Sequence, residues 1–477
     1  MQRQSPLLRI LFRVCIRLGL GLVLLVGLGV LAGVSLHAHA AADATLTVTD
    51  CSGETGPGRI GTVISSASAG DTITFNCSGT IPITSTLVIS TNNLTLDGSG
   101  QTVTLDGGSS TQVLSVNSGV TFTLKALTIA HGSAPVSGGG LNNEGGTVNI
   151  SNSTFANNSA NDVGGGLVNS GTVNISNSTF SGNFALGFAG GGLFNNGTVN
   201  ISNSTFSGNS APVVGGNGGG LFALSGTVTI SNSTFSGNSA HEGGGGLINE
   251  GTMSISNSTI SGNSARFGGG IGNGFPPEGG PSSRVSVGGS IVANNAGGNC
   301  DNIPPATITS TGYNLESGTD CRFTGTGDLQ NTDPKLDPNG LQNNGGPTQT
   351  LALEPDSAAV DHIPTGSSCP ATDQRGVSRP QGPKCDIGAF EMTAADGLTV
   401  MIHVVDSFHL ANGLQTSLDA KLTAALKAVQ AGDTATACSD LSDFIGQVQA
   451  QSGKGLTTAQ ATQLVNEATV IRTRLGC

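Results

Sequence analysis

The chain has 477 residues, among them 75 glycines, one tyrosine, no tryptophan and only 10% charged side chains, which excludes an average globular composition. Its formal net charge is -12, so the basic face that nucleic acid requires is missing. The 36% of hydrophobic residues is enough to fill a narrow core.

The first segment, residues 1–42, reads as a signal peptide. Arg3, Arg9, Arg13 and Arg17 precede an apolar run over 18–36, and Ala38, His39, Ala40, Ala41 and Ala42 form a small-residue region suited to signal peptidase. The competing reading is an uncleaved anchor, because the run is just long enough to span a bilayer; a membrane contact is expected only in that case. Cysteine usage agrees with export. Beyond Cys15 lie Cys51, Cys77, Cys300, Cys321, Cys369, Cys385, Cys438 and Cys477. These eight admit 105 connectivities, and pairing of sequence neighbours is the simplest. None shows Cys-x-x-Cys spacing and no His cluster accompanies them, so no zinc site is expected and an oxidising compartment is.

From residue 45 to 134 short alternating runs such as Ile73, Thr74, Phe75 and Leu94, Thr95, Leu96 read as strands. Residues 45–77 are expected to cover the open N-terminal end of the core, since bare strand edges invite aggregation.

Residues 138–299 repeat one sentence. Copies of roughly GGGLxNxGTVNISNSTFSGNSA start at Gly138, Gly164, Gly190, Gly218 and Gly244, with a degenerate sixth at Gly268. A fixed period in this range marks a solenoid. Within a copy, Val173, Ile175 and Phe180 alternate with small polar residues, which means strand. Their repeats at Val199, Ile201, Phe206 and Val228, Ile230, Phe235 are expected to stack coil upon coil, as are Leu167, Leu193, Leu221 and Leu247. Residues 43–299 are thus expected to be a parallel β-helix, right-handed by the usual chirality of parallel crossovers. About nine coils at roughly 4.8 Å would make a rod near 45 Å long. Asn152, Asn177, Asn203, Asn232 and Asn257 are expected to form a ladder of stacked amides.

Gly164, Gly165, Gly166 and Leu167, followed by Phe180 and Asn183, recur in four copies. In this the stretch resembles the polymorphic outer-membrane proteins of bacterial surfaces, with their Gly-Gly-Ala-Ile and Phe-x-x-Asn repeats. The resemblance implies the architecture and no activity.

Between 300 and 391 the text changes. Gly312, Tyr313, Asn314 and Leu315 are followed by Asp333, Pro334, Lys335 and Leu336, then by Asn344, Gly345, Gly346 and Pro347. Asp373, Arg375, Arg379, Asp386 and Glu391 come last. Their order resembles the choice-of-anchor Q domain of bacterial surface proteins, and the resemblance implies a module ending a β-helix. The five charged residues read either as an active site or as a network whose charge-assisted bonds satisfy loop backbone and seal the last coil, and the capping network is expected.

Residues 392–405 read as a linker. Beyond it Leu414, Leu418, Leu422 and Leu426, then Leu441, Phe444, Ile445 and Val448, then Leu464, Ala468, Ile471 and Leu475 recur at three and four residues, predicting three amphipathic helices over 406–477. Leu418, Lys421, Leu422, Phe444, Ile445, Val448, Ala450, Gln451, Gly453 and Lys454 resemble the FIMAH domain of secreted bacterial proteins.

The fold class is therefore mainly β, a parallel solenoid with a small C-terminal helical domain. An adhesive or structural role at the cell surface is expected, with extracellular glycans or cell-surface proteins as partners. No cofactor or metal motif is legible. The alternative is a polysaccharide lyase or hydrolase, for which Asp97 and Asp106 in two Leu-Asp-Gly triplets are the best carboxylate pair; each is equally a turn Asp before Gly.

Overall fold

A computed structural model describes residues 43–274 and 283–477; the signal-peptide reading, with Cys15, lies outside them. From Thr45 to Glu316 the chain winds through parallel strands that stack into long sheets of 11 (sheet A), 10 (sheet B) and 9 (sheet C) strands. Each repeat contributes one strand to C, one to A and one to B, as in Leu167–Asn169, Thr172–Ser176 and Thr179–Ser181.

The register explains why the copies are so alike. Val148, Val173, Val199 and Val228 lie opposite one another, as do Ile150, Ile175, Ile201 and Ile230, and all eight are buried. In sheet B the rings of Phe155, Phe180, Phe206 and Phe235 stack at centroid spacings of 4.6, 4.6 and 4.7 Å, with Ile260 continuing the column. Leu141, Leu167, Leu193, Leu221 and Leu247 line the third inner wall. Identical shapes in line pack without voids, so one repeat is a template for the next. The triplets serve close approach. Gly190 takes φ +70°, and a Cβ on Gly191 would lie 2.6 Å from the carbonyl oxygen of Gly219.

The N-terminal end is covered by helix α1 (Ile60–Ser66), which drops Ile60, Val63 and Ile64 onto the core. Seven residues are too few to show a helical period, and the sequence gives only strands there. The Cys51–Cys77 bridge ties this cover down.

Residues 300–391 close the last coil with the Cys300–Cys321 bridge and then fold back along the outside of sheet B. Thr205 Oγ1 donates to the carbonyl of Gln349 at 2.6 Å, Thr234 Oγ1 to Gln374 Oε1 at 2.6 Å, and the Ala389 N–H to Thr259 Oγ1 at 3.1 Å. The module is a flank as much as an end.

The stretch read as a linker is mostly helix α2 (Ala394–Ser407). With α3 (Asn412–Gln430), α4 (Thr434–Gln451) and α5 (Thr458–Leu475) it makes a domain of four helices rather than three. Leu398, Met401, Val404 and Val405 are buried in one core that runs from Ile291 and Ile387 to Leu464 and Ile471. The Cys369–Cys385 and Cys438–Cys477 bridges complete the nearest-neighbour pattern. Among the described residues no helix is long and apolar enough to cross a membrane.

Candidate functional surface

In a strand such as Thr172–Ser176 the side chains between the buried Val173 and Ile175 point outward. Sheet A therefore displays three parallel columns of hydroxyls and amides. Thr172, Thr198, Thr227 and Thr252 form one, Asn174, Asn200, Thr229 and Ser254 the second, and Ser176, Ser202, Ser231 and Ser256 the third. The middle column becomes exposed from Asn200 on, in strands Thr198–Ser202, Thr227–Ser231 and Thr252–Ser256. Its amides are aligned: Asn174 Nδ2 donates to Asn149 Oδ1 at 2.8 Å and Asn200 Nδ2 to Asn174 Oδ1 at 2.9 Å. On sheet C a second apolar column lies outside the main core, with the Phe194 and Phe222 rings stacked at 5.5 Å, and is largely buried in a small cluster with Ala189 and Val163.

The expected Asn ladder does not form where it was placed. Asn152, Asn177, Asn203, Asn232 and Asn257 occupy a corner at φ 45–49°, a left-handed conformation that Asn tolerates. The Asn232 side chain reaches out to the carbonyl of Thr372 at 3.1 Å. The amide ladder runs instead through the Asn of Phe-x-x-Asn. Nδ2 of Asn158, Asn183, Asn209, Asn238 and Asn263 donates to Oδ1 of the next member at 2.9–3.0 Å, ending on Asn295. Those six are buried. A second inner ladder joins Asn143, Asn169 and Asn195, and Ala223 interrupts it.

Asp97 and Asp106 are not brought together. They belong to different sheets, Asp97 at the end of Leu94–Asp97 in sheet A and Asp106 at the end of Val103–Asp106 in sheet B. Asp97 pairs with Lys125 Nζ at 2.9 Å and accepts the Ser99 N–H at 2.8 Å. Partial burial opposes its charge, but the bonds from Ser99 and Lys125 outweigh that and hold its carboxyl below the ordinary value. Asp106 accepts from Gly108 N and faces His131 Nδ1 at 3.0 Å. Both lie on one coil, at the ends of its successive strands in sheets A and B, rather than on neighbouring coils, and each is a turn Asp before Gly.

The five charged residues of the module do assemble. Arg375 lies on Phe390 at 3.7 Å and pairs with Asp373 at 2.9 Å and Asp396 at 3.0 Å. Arg379, fully enclosed, meets Glu391 at 3.2 Å and donates to the carbonyls of Asp386 and Gly388 at 2.6 Å. Asp386 accepts the backbone N–H of Asp361 and of Met392, both at 2.7 Å. Burial, and then the neighbouring Glu391, push Asp386 up to about 7. These groups bind loop backbone and one another.

A cleft of about 600 Å³ does open where the module meets the last helix, lined by Asp333, Lys335, Glu354, Asp356, Thr462 and Asn466. Burial and then Asp356 push Glu354 up to about 7. Burial pushes Glu467, which brings a carboxylate oxygen within 4.8 Å of those of Glu354 and Asp356, up to about 8. Glu467 is more than 110 residues from its two partners, and no spacing in the sequence betrays the group.

Residues 398–473 match the FIMAH domain, a match that takes in most of α2 and ends inside α5. No curated protein and no solved structure matches the chain.

Proposed function

We propose that this is an exported surface protein that uses sheet A as an adhesive face for neutral, hydroxyl-rich polymers such as uncharged polysaccharides. The observation that carries the reading is the set of in-register Thr, Asn and Ser columns on a face the C-terminal module leaves bare. Hydroxyls and amides both donate and accept. Repeated at the strand spacing of roughly 4.8 Å, they offer a periodic chain many equivalent contacts, each weak alone and additive along the rod. The net charge of -12 disfavours polyanionic partners.

Four disulfides and the FIMAH match support an extracellular place, and the N-terminal segment is then the export signal. Residues 300–391 fit a choice-of-anchor Q module in their motif order, which supports a bacterial surface protein. Retention of the purified chain on insoluble neutral and anionic polysaccharides, with released sugar measured in the same tubes, tests the proposal. Retention on a neutral polymer without release is expected. Failure to bind every polymer would sink it, and release of sugar would replace it with the enzyme reading.

A further inference from the structure

Glu354 and Asp356 follow the strand Thr350–Leu353, and Glu467 projects from α5. One carboxylate oxygen from each lies within 4.8 Å of the other two. The local compensation is incomplete. Lys335 Nζ pairs with Asp356 Oδ2, and Gln463 Nε2 donates to Glu354 Oε2 at 3.1 Å and Glu467 Oε1 at 2.9 Å. One ammonium thus faces three carboxylates, with Asp333 on the same cleft wall.

A second observation points to a ligand. Glu467 is 0% exposed, yet its Oε2 has no hydrogen-bond partner, and neither has the buried Oδ1 of Asp356. Native proteins rarely leave a buried acceptor unpaired without a bound species to satisfy it. Gln463 offers an N–H to one oxygen of Glu467 and nothing reaches the other. The cleft gives access from solvent, and Thr462 and Asn466 add neutral oxygens to its wall.

We infer that Glu354, Asp356 and Glu467 bind a divalent hard cation, Ca²⁺ before others, and that the bound ion fastens the helical domain to the module on the solenoid's flank. All three side chains give oxygen only, which rules against zinc and copper and suits Ca²⁺, Mg²⁺ or Mn²⁺. Ca²⁺ accepts six to eight oxygens in irregular array and takes carboxylate, amide and hydroxyl together, whereas Mg²⁺ demands a regular octahedron. The ligands come from both sides of a junction, so binding cross-links residues more than 100 apart in the chain. An affinity on the order of 10⁻⁴–10⁻³ M, that of extracellular calcium modules, would keep the clasp closed outside the cell and open inside.

The test is calorimetric titration of CaCl₂ into the chelator-treated mature chain, with thermal melting followed in parallel. The wild type is expected to bind one Ca²⁺ per chain and to melt higher with it, and to respond less to Mg²⁺. Glu467→Gln keeps the shape and takes away the anionic oxygen the ion needs, so it should fold without Ca²⁺ and bind the ion more than about tenfold more weakly. Glu354→Gln is the second variant and decides the matter if Glu467→Gln fails to fold. No saturable binding of any divalent cation by the wild type would overturn the inference. So would binding that both variants retain at wild-type strength.

Discussion

Asn183 and Asn177 stand six residues apart in one repeat and answer to different forces. Asn183 donates through Nδ2 to Phe155 O and Asn209 Oδ1, both at 2.9 Å, and its own Oδ1 accepts from Asn158 at 2.9 and 3.0 Å, all inside the coil. Asn177 turns a corner at φ +49°. Asn183→Ala is therefore expected to cost about 3 kcal/mol, since it strands several buried partners. Asn177→Gly should cost under about 0.5 kcal/mol, since Gly enters the same conformation freely. Urea unfolding of both variants checks the contrast. Period-two alternation identifies Val173, Ile175 and Phe180 as inward, but the strand ends at Ser181 and Gly182 turns at φ +63°. Parity is lost there, so strand logic cannot tell that Asn183 points in.

Glu316 makes a pH prediction at the same scale. It is buried, and burial, with Asp320 beside it, pushes its carboxyl up to about 7 from an ordinary 4.5. The folded chain thus holds a proton that the unfolded chain has released. Its contribution to stability is present below pH 4.5, declines as pH rises from 4.5 to 7, and stays lost above. Glu316→Gln, which mimics the protonated form, should flatten that decline and raise the melting temperature at pH 8 relative to wild type. A melting series between pH 4.5 and 8 reads this directly.

At the scale of elements, α2 was hidden because its sequence argues against helix. Gly397 and a run containing Thr399, Val400, Ile402, Val404 and Val405 have poor helical propensity, and near-continuous apolarity masks any face. Tertiary burial overrides this, helped by a capping box between Thr393 and Asp396. Space at Gly397 is tight, as a Cβ there would lie 3.2 Å from the Ile471 side chain and 3.3 Å from that of Pro355, which would have to give way by a few tenths of an ångström. The charged network just before α2 was legible as a cap because charge is scarce elsewhere in the chain. What it caps was not legible, since the return of residues 300–391 along sheet B depends on bonds such as Thr234 to Gln374, 140 residues apart. Arg379→Met leaves Glu391 and Asp386 buried without their guanidinium and is expected to destabilise the module by about 3–5 kcal/mol. Denaturant unfolding should show that loss in the module and helices, with the repeats released later.

Over the whole molecule, a template-like solenoid carries a shared C-terminal core. The repeats made the solenoid readable because each copy restates the same inner columns. The helical period made α3, α4 and α5 readable. The single core that binds the helices to the module is made from scattered residues such as Ile291, Leu353, Met392 and Ile471, and no local pattern links them. This leaves sheet A as the long free face. Arg at Asn174 and Thr229, two coils apart in one outward column with Asn200 between, would break the periodic surface while leaving the inward residues alone. The decisive measurement is retention of the Asn174→Arg, Thr229→Arg double variant on a neutral polysaccharide that holds the wild type. The account predicts at least about a tenfold loss of retention with cooperative melting retained. Wild-type retention by a folded double variant would contradict it.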